Sequence, residues 1–68
     1  MITDEKELFK QAFELHKQGK LDEAETMYTQ IVEQNPEHAE VLNFLGIINL
    51  QKFRLSRAEE FIKRALAI

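Results

Sequence analysis

The sequence has no cysteine and no tryptophan, and only one proline, one tyrosine and two glycines among its 68 residues. Each scarcity removes a class of protein. Without cysteine there is no disulfide framework. The two histidines, His16 and His38, fall short of a structural zinc site. A chain this small must therefore be held by packing and association. No apolar run exceeds a few residues, far too short for a membrane span. The start, Met1-Ile2-Thr3-Asp4-Glu5, carries neither the basic nor the apolar stretch of a signal peptide, so the expected address is cytoplasmic. Basic charge is also scarce. Nine Lys and Arg against twelve Asp and Glu give a net charge of −3, the reverse of the basic stripe that displaces counterions from phosphates. Neither nucleic acid nor membrane is an expected partner, and no cofactor is expected.

What is present is helix-forming. Hydrophobic residues make up 44% of the chain, β-branched residues are sparse, and only Gly19, Pro36 and Gly46 punctuate it, so the expected fold class is all-α. Leu8, Phe9, Ala12, Phe13, Leu15 and His16 recur at helical spacing and predict a first helix over about 4–18, with Gly19 at its left-handed C-terminal cap. Asp22-Glu23-Ala24-Glu25 reads as a capping box opening a second helix over about 22–34. Asn35-Pro36 ends it, and Asn35 is the expected N-cap of a third helix over about 36–52. Val41, Leu42, Phe44, Leu45, Ile47, Ile48 and Leu50 leave that helix little polar surface, so it is expected to be buried from several sides. Ser56-Arg57-Ala58-Glu59 reads as a second capping box, opening a fourth helix over about 56–67 with Ala58, Phe61, Ile62, Ala65 and Leu66 on its stripe.

The two boxes start at Asp22 and Ser56, 34 residues apart, and the whole chain is twice that length. Sliding one half onto the other pairs Leu8 with Leu42, Ala12 with Gly46, Leu21 with Leu55, Ala24 with Ala58, Glu25 with Glu59, Tyr28 with Ile62 and Val32 with Leu66. A fixed period of this size marks a stacked helical array. On these residues the chain resembles the tetratricopeptide repeat (TPR) family. The first copy supplies Leu8, Gln11-Ala12, Leu15, Ala24, Tyr28, Ile31 and Pro36, and the second Leu42, Leu45-Gly46, Asn49, Ala58, Ile62 and Ala65. The resemblance implies two antiparallel hairpins stacked as a short right-handed solenoid: one domain over 1–68, with repeats at 5–38 and 39–68 and no C-terminal capping helix.

Ala12, Gly46, Ala24 and Ala58 are small so that paired helices can approach closely. Four departures from the pattern stand out: Gln11 for a large apolar residue, Asn49 for an aromatic, Ile31 for a small residue, and Phe53 for a turn glycine. A tight turn at 52–55 would place Phe53 in a strained left-handed conformation. The alternative is a helix continuing through Gln51-Lys52-Phe53-Arg54, which would open the hairpin and permit helix exchange between chains.

No residue set carries catalysis. His16 and His38 have no carboxylate or nucleophile at a useful spacing, adjacent Glu59 and Glu60 point about 100° apart on a helix, and Gly19 and Gly46 lie too far apart for a phosphate loop. The chain is therefore expected to be neither an enzyme nor a metal protein. In the TPR family, the first helix of each hairpin lines a concave face that holds an extended peptide or a helix. Carried over by position, the groove residues are Lys6, Phe9, Phe13, His16 and Lys17 in the first copy and Glu40, Asn43, Ile47, Leu50 and Gln51 in the second, flanked by Phe44. Phe13 and Ile47 could equally be inter-helix core. Family members that clamp the C-terminal carboxylate of chaperones use Lys, Asn and Arg on these stripes. Here Phe9, Phe13 and Phe44 stand there, which argues against such a clamp and for a hydrophobic ligand such as an amphipathic helix.

The expected function is a non-catalytic interaction module that grips a protein or peptide. A second reading is a self-assembling unit: Phe61, Ile62, Leu66 and Ile68 on the last helix await a neighbour, either another copy or a longer repeat array. A third makes the repeats an accessory segment of a longer enzyme, such as a glycosyltransferase. The first half carries 8 acids and 4 bases and the second 4 acids and 5 bases, a weak dipole that would favour head-to-tail contacts.

Overall fold

The computed structural model describes residues 4–68; the N-terminal segment read above for a leader lies largely outside them. Four helices follow one another: α1 (Glu5–Lys17), α2 (Leu21–Gln34), α3 (Ala39–Gln51) and α4 (Leu55–Leu66). α1 packs on α2, α3 on α4, and α2 joins the two hairpins by packing on α3. The core runs along these contacts through Leu8, Ala12, Ala24, Tyr28, Ile31, Val32, Val41, Leu42, Leu45 and Ile48. The all-α, paired-hairpin fold is the one expected. None of the four helices is long and apolar enough to cross a membrane.

The two tight turns are built alike. After α1, the Gly19 and Lys20 amides donate to the carbonyls of His16 and Leu15 at 3.0 and 2.9 Å, and Gly19 takes φ +79°. After α3, the Phe53 and Arg54 amides donate to Leu50 and Asn49 at 3.0 and 2.8 Å, and Phe53 takes φ +60°. Both are Schellman motifs, which need a left-handed residue one place past the C-cap. The turn at 52–55 is therefore closed, the continuous helix through it does not form, and Phe53 accepts the conformation that glycine adopts without cost. Its ring is 88% exposed, so no packing compensates.

This turn geometry also overturns both capping boxes. Lys20 and Arg54 complete the Schellman turns and are at the same time the N-caps of the next helices, so α2 and α4 start one residue earlier than predicted, without side-chain caps. Asp22 and Ser56 are left inside the first turn rather than before it. Asp22 and Glu25 instead reach the turn of the second hairpin. Lys52 Nζ donates to Asp22 and, at 3.2 Å, to Glu25, while Arg54 Nη1 lies 3.3 Å from Glu25 Oε2. The bond to Lys52 holds the Asp22 carboxyl below its ordinary range, and the same bond raises Lys52 above its own. Glu59, the second box's acid, pairs with Lys63 on its own helix at 3.1 Å.

The third helix also starts elsewhere than expected. Asn35 is the C-cap of α2, and its carbonyl accepts from the His38 amide at 3.1 Å across a turn holding Pro36. α3 begins at Ala39, and its N-cap is His38, whose Nδ1 accepts from the Val41 amide at 3.3 Å. α3 is indeed the most enclosed helix, with Val41, Leu42, Leu45, Gly46, Ile48 and Asn49 buried. A Cβ built on Gly46 would lie 2.7 Å from Ile62 Cγ1, so the glycine sets how closely α3 and α4 approach. Asn49, where the family pattern has an aromatic, satisfies its amide on the Leu45 carbonyl at 2.7 Å but leaves Oδ1 without a partner among the described residues.

Candidate interaction groove

α1 and α3 lie side by side and run the same way, because each is the first helix of a hairpin displaced from the other by one repeat. Their facing stripes meet through rings. Phe9 and Phe13 stack at 6.5 Å along α1, and Phe44 of α3 meets them edge-on, each at 5.8 Å. His16 also meets Phe44 edge-on at 5.9 Å. Two further rings complete the cluster. Tyr28 of α2 lies beneath, parallel to Phe44 at 5.5 Å and 3°, and His38 stacks on Phe9 at 6.1 Å. Such offset and edge-on ring pairs each contribute about 0.5–1.5 kcal/mol beyond the area they bury.

The cluster is half-open. Tyr28 is fully buried, Phe9, His16 and Phe44 are half-buried, and Phe13 remains 37% exposed. Phe13 packs on Phe9 and Phe44 while keeping one side of its ring open to solvent. Further along α3, Ile47 is half-buried and Leu50 is 46% exposed, with Asn43 exposed on the same stripe. One end of the groove closes where His16 Nε2 and Gln51 Oε1 share a hydrogen bond of 2.9 Å. The other opens into a cleft of about 350 Å3 lined by Glu5, Lys6, Phe9, His38 and Glu40. From Glu5 to His16 the groove spans about 17 Å, three turns of helix.

Charge is confined to the rim. Lys17 Nζ sits 5.3 Å over the Phe13 ring and 3.1 Å from Glu14, so its apolar stem extends the floor while its charge stays in water. At the open end, His38 Nε2 lies 4.0 Å from Glu5 Oε2. The Tyr28 hydroxyl has no partner among the described residues, and burial, reinforced by the Glu40 carboxylate, pushes it up to about 12.

Tyr28 and His38 were not among the groove residues expected from sequence. Tyr28 reads as core because it lies on the second helix, and its ring supports the groove from beneath. His38 could be found by its spacing: it stands three residues before Val41, the distance from an N-cap to the amide it accepts. Asn43, Ile47 and Leu50, also expected in the groove, share one stripe of α3, with Ile47 half-buried and the other two exposed.

A family model described as tetratricopeptide repeat matches residues 9–68. No curated protein and no solved structure matches. The matched span takes in all of the ring cluster and both hairpins from Phe9 onward, since the first groove ring, Phe9, is also the first residue matched.

Proposed function

The chain belongs to the tetratricopeptide repeat family, whose repeats serve generally as protein-interaction scaffolds, and from that premise we propose that it is a non-catalytic binding module gripping an amphipathic helix in the groove between α1 and α3. The observation that supports this reading is the half-open ring cluster. Phe13 and Leu50 expose apolar surface directly beside rings already ordered by Tyr28, so a ligand gains burial without having to order the floor. Three turns of groove match three turns of a ligand helix, which would present apolar anchors at every third and fourth position. A carboxylate tail is the poorer fit: the floor is Phe9, Phe13 and Phe44, and Lys17 is turned onto Phe13 and Glu14.

The test is calorimetry against an amphipathic peptide selected from a random helical library. Phe13→Glu and Ile47→Lys should each weaken binding at least tenfold while the far-ultraviolet circular dichroism stays that of the parent. Unchanged affinity in both variants would place the ligand elsewhere.

A second observation favours a second reading. Leu55, Leu66 and Ile68 are 65%, 80% and 59% exposed, all on or just beyond α4. Ile62 is half-buried against Gly46 and Phe61 half-buried beside Arg64. The exposure of Leu55 and Leu66 supports reading the outer side of α4 as a self-association face.

A further inference from the structure

α4 repeats a stripe that the first hairpin keeps covered. On α2, Leu21, Glu25, Tyr28 and Val32 line the side that meets the second hairpin; Tyr28 is fully buried, Val32 is 9% exposed and Glu25 is paired with Lys52 and Arg54. One period later the same positions are Leu55, Glu59, Ile62 and Leu66. At about 100° per residue these four fall within about 60° of one another on the helix. Leu55 and Leu66 at its two ends are exposed, and Glu59 pairs with Lys63 on its own helix.

A head-to-tail neighbour would cover this stripe with the outer side of α1. That side does not fit. The α3 residues that meet α2, Val41, Leu45 and Ile48, are at most 1% exposed, and their equivalents on α1 are Glu7, Gln11 and Glu14. All three are exposed, and Gln11 donates to Glu7 at 3.2 Å. Leu15 and Met27 leave a cleft of about 320 Å3 there, but seating Leu55 and Leu66 on it would take the Glu7 and Glu14 carboxylates out of water with only the Gln11 amide and the Lys17 ammonium beside them, and desolvating an ion costs several kcal/mol.

The stripe is instead complementary to itself. Laid antiparallel on its own copy about a two-fold axis between Glu59 and Ile62, it sets Leu55 against the partner's Leu66 and Leu66 against the partner's Leu55. The Ile62 side chains flank the axis. Glu59 and Lys63 share one edge of the stripe, so each Glu59 comes beside the partner's Lys63. Resting on the self-association reading above, we propose that α4 forms a two-fold symmetric dimer with α4 of a second copy, a closed assembly rather than a growing array.

The experiment mixes a Leu55→Cys chain with a Leu66→Cys chain under mild oxidation, alongside sedimentation velocity of the unmodified chain from micromolar to millimolar concentration. The expected result is a concentration-dependent species of two chains, with disulfide forming at least tenfold faster in the mixture than in either variant alone. Gln11→Arg should leave the dimer unchanged, and Leu66→Glu should weaken it at least tenfold with helicity retained. Species that keep growing past two chains, or that Gln11→Arg disrupts, would overturn the two-fold arrangement while self-association survived. A strictly monomeric chain at millimolar concentration would overturn both, leaving the stripe to a partner of different sequence.

Discussion

Gly19 and Phe53 hold the same left-handed position 34 residues apart, each one place past the end of a first helix, and the same two backbone hydrogen bonds form around both. Elsewhere the two hairpins diverge in step with their surroundings. α1 carries Glu7, Gln11 and Glu14 toward water where α3 carries Val41, Leu45 and Ile48 toward α2. Tyr28 is sealed between two hairpins, whereas its counterpart Ile62 is only half-covered by one. The hydrogen-bonded turns recur with different residues because the backbone dictates them; side-chain character follows what each position faces. The repeat is thus a unit of backbone geometry, and its chemistry is set by its neighbours.

That contrast can be broken most forcefully at its most buried pair. Tyr28→Ala should cost about 4 kcal/mol, the range for removing a buried aromatic, while Ile62→Ala at the matching position should cost less than half as much. Denaturant titration of the two variants checks this, and equal losses would mean the second hairpin is as enclosed as the first. Gly46→Leu should cost about 3 kcal/mol, because its first side-chain atom already meets Ile62, and Ala12→Gly at the equivalent place only about 1 kcal/mol.

The turn comparison is sharpened by Phe53→Gly, which should raise stability by about 1 kcal/mol, the strain of a left-handed side chain less the added freedom of glycine in the unfolded chain. A loss of stability would show that the exposed ring is being covered in solution. The smallest effect is read by pH. The folded Tyr28 hydroxyl keeps its proton up to about 12, against an ordinary value of 10.0 in the unfolded chain. Its contribution is complete below the unfolded value, and stability falls as pH climbs from there through about 12. Lys52, also raised, loses its contribution in the alkaline range as well. Tyr28→Phe should abolish the tyrosine part of that loss and, by removing an unpartnered buried hydroxyl, stabilise the protein at neutral pH by about 1 kcal/mol.

The periodicity made the four helices and their pairing legible, because burial on one face leaves a mark every third and fourth residue. The helix starts were less so. Asp22 and Ser56 have the composition of caps, yet a Schellman turn feeding straight into the next helix puts the N-cap one step earlier, and local composition does not reveal that competition. The carboxylates freed from capping found Lys52 and Arg54 nearly thirty residues away, a contact that exists only once the hairpins stack. In the groove, Phe9, Phe13, His16 and Phe44 were legible from their stripe. Tyr28 was not, because a ring contributed from beneath looks the same in sequence as ordinary core.

The central claim, that the α1–α3 groove is the binding surface, is tested most directly by amide chemical-shift mapping of the 15N-labelled chain with the selected amphipathic peptide. The account predicts that the largest shifts fall on Phe9, Phe13, His16, Phe44, Ile47 and Leu50, with the outer side of α2 at Thr26, Thr29 and Gln30 unmoved. Shifts centred on that outer side, or on the α4 stripe of Leu55, Ile62 and Leu66, would contradict it.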